Sequence, residues 1–404
     1  MSTRNIPDLA VNGGEPVRSR PLPPWPAYSE EEVRVAAEVL RSGRVNYWTG
    51  EECRSFEREF AGYHGIAHAI ALANGTLALE LALRALGVQA GDEVIVTARS
   101  YFASASCIIM SGATPVFADI DSDSQNVTAA TIAPLISTKT KAIIAVHLAG
   151  WPCDMPEIME LANQHGLAVV EDCAQALGAR VDGRLVGTFG DAACFSFCQD
   201  KIISTAGEGG MLVTRDPSLW KTAWEFKDHG KSWDRVYEAG HEIGFRWLHS
   251  GFGSNWRMTE IQGALGRLQL GKLNDWLSIR RRNAERLYDG LRDLSVLRLP
   301  RPAANLFHAN YKFYAFVNTA LLNDGWTRDL MLAAISAEGI PGLSGSCPEI
   351  YREQAFDGHG HAELPVAREL GETSIMLLVH PTLALSDVDD IIAAVRKVCR
   401  AASR

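Results

Sequence analysis

The sequence predicts an α/β fold: a mainly parallel seven-stranded sheet covered by helices, with a smaller α+β unit at the C-terminal end. Three observations carry this. From Ala67 to Val213 short apolar runs alternate with amphipathic ones. The short runs are apolar at consecutive positions, as strands buried on both faces are, and helical periods separate the earlier ones. After Trp220 that rhythm breaks and does not return in the same form.

The elements follow in order. Pro21, Pro23, Pro24 and Pro26 mark an extended segment leading into the fold. A helix begins after Ser29, where Glu32 completes a capping box, shows one apolar face through Val33, Ala36, Ala37 and Leu40, and stops at Gly43. Strands are expected at Ala67–Leu72, Glu93–Thr97, Pro115–Ala118, Lys141–His147, Ala168–Glu171, Ala192–Phe197 and Met211–Thr214. Helices are expected at Thr76–Leu86, Ala103–Met110 and Pro156–His165. The Gly/Trp/His-rich stretch Lys227–Trp256 lacks periodicity and reads as a long loop, a feature usually tied to function. A long helical stretch from Met258 to Leu294 follows, with Gly271 as a possible interruption. The remainder gives a strand (Tyr311–Asn318), a helix (Thr327–Glu338), a strand (Ser374–His380) and a closing helix (Val388–Cys399). The expected division is residues 1–255, a large α/β domain with its N-terminal segment, and residues 256–404, linking helices and the smaller α+β domain.

Composition narrows the classes. At 404 residues and 47% hydrophobic content the chain can bury a large core. A formal net charge of −9 opposes nucleic-acid binding, so any anionic ligand must be met by a local cluster. None of the eight cysteines falls in a Cys-x-x-Cys pair, which disfavours zinc and dithiol redox chemistry; no metal site is expected. Cys194 and Cys198 read as small buried hydrophobes. Met1–Asp8 lacks the apolar run of a signal peptide, and no apolar stretch is long enough to span a bilayer. The expectation is a soluble cytoplasmic protein.

Parallel sheets bind ligands at the carboxyl ends of their strands. There the sequence places Asp172 after one strand, Ser196 and then Lys201 after another, and Asn74-Gly75-Thr76 between the first strand and a helix. Taken singly, each has a plain reading: a helix cap, a solvated charge, a turn. Their order is what points to chemistry. An amine able to form a Schiff base, a carboxylate able to hold a protonated ring nitrogen, and a helix N-terminus able to hold a phosphate together suit pyridoxal phosphate. No Gly-x-Gly-x-x-Gly follows the first strand, which sets a dinucleotide oxidoreductase aside.

The local wording resembles the DegT/DnrJ/EryC1/StrS sugar aminotransferases, a branch of the fold-type I pyridoxal-phosphate enzymes. The resemblance lies in Asn74-Gly75-Thr76-Leu77-Ala78-Leu79, Gly91-Asp92-Glu93-Val94-Ile95-Val96 and Pro115-Val116-Phe117-Ala118-Asp119-Ile120. It continues through Glu171-Asp172-Cys173-Ala174-Gln175-Ala176-Leu177-Gly178, Phe195-Ser196-Phe197-Cys198-Gln199-Asp200-Lys201, Gly207-Glu208-Gly209-Gly210-Met211 and Gly253-Ser254-Asn255-Trp256-Arg257-Met258. It runs from about Tyr47 to the C-terminus.

The resemblance implies that Lys201 carries the cofactor and shuttles a proton, that Asp172 faces its pyridine nitrogen, and that Gln175 meets its phenolic side. Phe102, in preference to Tyr101, would stack on the ring. Gly75, Thr76 and Ser196 would hold the phosphate, and Asn255 would reach the phosphate of a neighbouring subunit, implying a homodimer with shared sites. The implied reaction is ping-pong: L-glutamate leaves its amino group as pyridoxamine phosphate, and a keto sugar, nucleotide-linked by expectation, takes it up. The amino sugar would serve polysaccharide (lipopolysaccharide included) or secondary-metabolite biosynthesis. Lys227, His229, Lys231, Arg246, Arg257 and Lys312 form a candidate basic cluster for a diphosphate, with His308 and Tyr314 beside it as pocket residues. A sugar dehydratase, a cyclitol aminotransferase and a non-catalytic regulator remain the alternatives. Lys201 stands where dehydratases of the family carry His, which favours transamination. Cys198 and Gln199-Asp200 depart from the wording of many relatives, and Asp200 sets a carboxylate beside the lysine.

Overall fold

The computed structural model describes residues 9–238, 244–360 and 362–403. Met1–Asp8 and part of the expected loop, residues 239–243, lie outside the described residues. Seven strands form the large sheet: β1 (His68–Leu72), β2 (Glu93–Thr97), β3 (Thr114–Ala118), β4 (Thr140–Val146), β5 (Ala168–Asp172), β6 (Ala192–Ser196) and β7 (Gly210–Thr214). Their order is β1-β7-β6-β5-β4-β2-β3. Only β7 runs against its neighbours, pairing Ser196 of β6 and Leu72 of β1 with Gly210. The other six strands therefore deliver their carboxyl ends to one edge.

The main helices are α1 (Glu30–Ser42), α2 (Glu52–His64), α3 (Gly75–Ala85), α4 (Ala103–Met110), α5 (Met155–His165), α6 (Pro217–Lys227), α7 (Glu260–Leu291), α8 (Arg328–Ala337), α9 (Pro365–Thr373) and α10 (Leu385–Ala402). Strand alternation sorts the core between the two faces of the sheet. Val94, Val96, Ile144, Val170 and Leu212 pack with residues of α3, α4 and α6 on one face. On the other face Ile95, Ile143 and Val169 meet α5, while Phe195, Met211 and Val213 meet α2 and α7. The Ser29–Glu32 capping box and the Gly43 stop of α1 are present. The expected break at Gly271 is absent: α7 runs unbroken for 32 residues, supported by packing against α1, α2 and α10.

Three further strands, β8 (Leu297–Arg298), β9 (Phe313–Val317) and β10 (Ser374–Leu377), make a small antiparallel sheet packed with α8 and α10. The N-terminal segment, expected with the large domain, packs here instead. Leu9, Val17 and Leu22 join this second core, the amides of Ala10 and Val17 donate to the buried Glu338 carboxylate, and Arg18 pairs with Asp387 at 2.9 Å. The expected long loop contains one short helix, Trp233–Tyr237, in its described part. No helix among the described residues is long and apolar enough to cross a membrane.

Candidate active site

A cavity of about 670 Å³ opens at the carboxyl edge of the sheet, closed on its far side by the β9–β10 region. Its wall combines residues that follow β1 (Asn74, Gly75, Thr76), β2 (Ser100, Tyr101, Ser104), β5 (Asp172, Gln175) and β6 (Ser196, Cys198, Asp200, Lys201). Tyr314 of β9, with Tyr311 and Lys312 just before that strand, completes it.

Asp172 ends β5 and is 4% exposed. One carboxylate oxygen accepts from the Ser104 hydroxyl at 2.8 Å, the other from the Ala174 amide at 3.1 Å. Gln175 is fixed by the Ala149 amide, which donates to its side-chain oxygen at 2.7 Å. The loop carrying Lys201 is pinned from behind: the Trp25 indole donates to the Lys201 carbonyl at 2.8 Å. The Lys201 ammonium nitrogen sits 5.0 Å from the Tyr311 ring centre.

At the other end of the cavity Asn74 caps α3, its side chain accepting from the Leu77 amide at 3.0 Å. A methyl group on Gly75 would lie 2.7 Å from the Ser196 Cβ, so glycine is what lets the helix start approach β6. Free amides, a dipole end and the Ser196 hydroxyl thus face one pocket, a ready anion cradle. These residues fit pyridoxal phosphate: an amine, a buried carboxylate held in place by two donors, and a phosphate cradle shaped by a missing Cβ.

Asp200 is ionically engaged. It accepts from the Tyr311 hydroxyl and lies 3.8 Å from the Lys312 ammonium. Burial opposes its ionisation, but Lys201, the Tyr311 hydroxyl and Lys312 outweigh that and hold it below the usual carboxylate range. Burial pushes Lys312 down to about 8, with Arg280 and Lys201 adding to the fall and Asp200 opposing it.

Several expectations need correction. Phe102 does not line the cavity; it packs 5.5 Å from Phe356 against the core, while Tyr101, 69% exposed, lines the cavity. The chain turns into α4 at this point, so consecutive side chains diverge. The basic cluster does not assemble at the cavity; Lys227, Lys231 and Arg257 gather at Asp228 instead, and only Lys312 reaches the cavity wall. Lys227 is buried against the Tyr47 ring at 3.8 Å, Lys231 and Arg257 both pair with Asp228, and Arg246 is spent on the carbonyls of Arg235 and Val236. His229 and Asn255 are exposed and are not among the residues lining the cavity; the His229 amide donates to the Ser254 carbonyl, and Asn255 bridges to Asp228. His308 is also outside the cavity, in a separate cleft beside Trp151, where burial pushes it down to about 3. Lys312 and Tyr314 do line the cavity, and the Tyr314 hydroxyl accepts from the Ser346 amide at 3.0 Å. Cys198 is half-buried in the cavity wall, whereas Cys194 is fully buried.

Sequence reasoning missed Ser104, Tyr311 and Trp25. Ser104 was within reach, since it stands four residues after Ser100 on the turn into α4 and the two hydroxyls lie 2.9 Å apart. Nothing local marks Trp25, whose partner is 176 residues away.

A parallel sheet with a lysine, an aspartate and a phosphate-ready helix start at its carboxyl edge defines a fold-type I pyridoxal-phosphate aminotransferase. The chain belongs to the DegT/DnrJ/EryC1/StrS aminotransferase family, which it matches over residues 26–396. It is 38% identical to a UDP-N-acetyl-3-dehydro-alpha-D-glucosamine 3-aminotransferase of Acidithiobacillus ferrooxidans, over 87% of this chain and 90% of that protein. It is 36% identical to a GDP-perosamine synthase of Escherichia coli O157:H7, over 90% and 94%. Among solved structures, an aminotransferase from Psychrobacter cryohalolentis superposes with a TM-score of 0.91 at 49% identity, covering 93% of this chain and 98% of that one.

Proposed function

We propose that this enzyme transfers an amino group from L-glutamate to a keto sugar carried on a nucleotide, within a cytoplasmic pathway that builds an amino sugar for a surface polysaccharide such as lipopolysaccharide. The observation that carries the reading is the convergence of Lys201, Asp172 and the α3 N-terminus on one cavity. Bound pyridoxal phosphate supplies an electron sink that weakens the Cα–H bond of the amino donor. Lys201 anchors the cofactor covalently and moves the proton between the donor carbon and the cofactor. Asp172, kept in place by Ser104 and Ala174, would hold the proton of the ring nitrogen. Gln175 would meet the phenolic side, Tyr101 would cover the ring, and Gly75, Thr76 and Ser196 would hold the phosphate.

The sugar enters against Lys312 and Tyr314. Its diphosphate is met by His229 and Arg257 of a second copy, whose Asn255 completes the phosphate site, so the working unit is a homodimer. A division into a large cofactor-binding part and a smaller C-terminal part, with the N-terminal segment joined to the smaller one, suits this chemistry, because the cavity is lined from both parts.

The test is the visible spectrum of the purified, cofactor-loaded protein before and after L-glutamate. A yellow protein whose band disappears with glutamate is the expected result. A protein that stays colourless after incubation with pyridoxal phosphate overturns the reading, and a band indifferent to glutamate but bleached by L-glutamine replaces the donor.

A further inference from the structure

Asp200 is a carboxylate in the wall of the cavity that the proposed chemistry leaves without a role. It stands next to Lys201 in sequence, and its carboxylate faces β9 rather than open solvent: it accepts from the Tyr311 hydroxyl and pairs with Lys312 at 3.8 Å. Tyr311 presents its ring to the Lys201 nitrogen at 5.0 Å and to the Lys312 nitrogen at 4.8 Å. The same tyrosine is gripped from its backbone, where its carbonyl accepts from Arg280 of α7 at 3.2 Å. Arg280 is 1% exposed, and two of its guanidinium nitrogens have no partner among the described residues. Lys312 thus pairs with the carboxylate and Arg280 stands behind Tyr311, both close to the lysine that must lose its proton to work.

We propose that Asp200 is a positioning residue: paired with Lys312 and held by the Tyr311 hydroxyl beside Lys201, it sets, together with Lys312 and with opposite sign, the pH at which the nitrogen of Lys201 gives up its proton. The inference rests on the reading that Lys201 carries the cofactor. Its physical content is charge placement. A cation within several ångströms disfavours protonation of a neighbouring nitrogen and an anion favours it, typically by about one to three pH units at ~4–6 Å.

The groups facing Lys201 come from every surrounding element. Cys198, Asp200 and Glu208 belong to its own loop, Asp172 to β5, and Tyr311 and Lys312 to the segment just before β9; Arg280 of α7 stands behind Tyr311, and His380, past β10, faces Lys312 and Arg280. Among them Asp200 and Lys312 form the direct charge pair at the lysine, so removing either leaves the other uncompensated.

The experiment is a pH titration of the visible absorption of the cofactor-loaded protein without substrate, for wild type, Asp200→Asn, Lys312→Met and Asp200→Glu. The midpoint should fall by about one pH unit in Asp200→Asn and rise by about one in Lys312→Met. Asp200→Glu, which restores the charge, should return towards wild type. Opposite shifts separate charge placement from structural damage, which has no reason to move the midpoint in opposite senses. If Lys312→Met fails to fold, Lys312→Gln tests the same rise. Shifts in the same direction, or midpoints within about 0.2 of wild type in both variants, overturn the proposal. Lys201→Ala serves as the control. If it keeps the pH-dependent band, Lys201 is not the anchor, and the underlying reading fails independently of Asp200.

Discussion

Glu171 and Asp172 are neighbours at the end of one strand, yet they do different work because strand alternation sends them to opposite faces. Asp172 turns to the cavity, while Glu171, fully buried, accepts from the amides of Gly187, Phe189 and Gly190 and from His147 Nε2 at 3.1 Å. Burial opposes its ionisation, but His147 and these amides hold the carboxyl below its usual range. Replacing Glu171 with Gln leaves an amide NH₂ facing other donors, so it should cost about 2–4 kcal/mol of stability at neutral pH. The sign with pH follows from the lowered value: this stabilisation is present above the ordinary 4.5 and is lost as pH falls through the folded-state value. Urea unfolding of wild type and Glu171→Gln should therefore show a gap that narrows on acidification below 4.5, and a gap that stays constant would count against this account. At this scale the cavity positions of Asp172 and Gly75 were legible because a strand end and a helix start fix where they go, whereas Gln175 rested on the family resemblance alone. Tyr101 was not legible, since the phase of a loop entering a helix is set by packing, here of Phe102 against Phe356.

The strands of the large sheet could be read to within a residue or two because their apolar runs are bounded by polar turns. Helix α2 shows why some elements could not. Its N-cap residue Glu51 makes no side-chain cap, and the first amides, of Glu52 and Cys53, donate instead to Glu260, more than two hundred residues on. A cap supplied through tertiary structure leaves no local signature. The glycines after Lys201 make a related point, since a tight turn is only part of their use. Gly210 opens β7 directly under the start of α3, and a Cβ there would stand 2.3 Å from the Asn74 carbonyl oxygen, a backbone atom with little room to yield. Gly210→Ala should push the α3 N-terminus away from the phosphate cradle. We expect pyridoxal phosphate to bind at least about tenfold more weakly, a loss of about 1.4 kcal/mol. A fluorescence titration of the apoprotein checks this. Unchanged affinity would mean that the α3 start does not hold the phosphate.

Over the whole molecule, the sequence conveyed the parallel sheet and its working edge but not the contacts that tie the chain's ends together, such as Arg18 to Asp387. It also suggested one basic cluster where a single chain shows two groups. Lys312 stands in the cavity, while His229, Asn255 and Arg257 stand on the outer loops. Near that second group Phe245, Trp247 and Phe252 are 80%, 79% and 102% exposed, a large apolar surface for a chain to leave uncovered. Both facts fit a dimer in which these loops complete the neighbour's site. The arrangement makes a demanding prediction. Lys201→Ala and Asn255→Asp should each be inactive as pure dimers, the first lacking the anchor, the second placing a carboxylate against the phosphate. Unfolded together and refolded as a mixture, they should regain activity. A hybrid dimer has one ruined site with both changes and one intact site, built from the Lys201 of one chain and the Asn255 of the other. With random exchange half the dimers are hybrids, so recovery should approach about a quarter of wild-type activity. If each chain instead held a complete site, Asn255→Asp alone would stay active or mixing would restore nothing, and either result would remove the shared site from the reading.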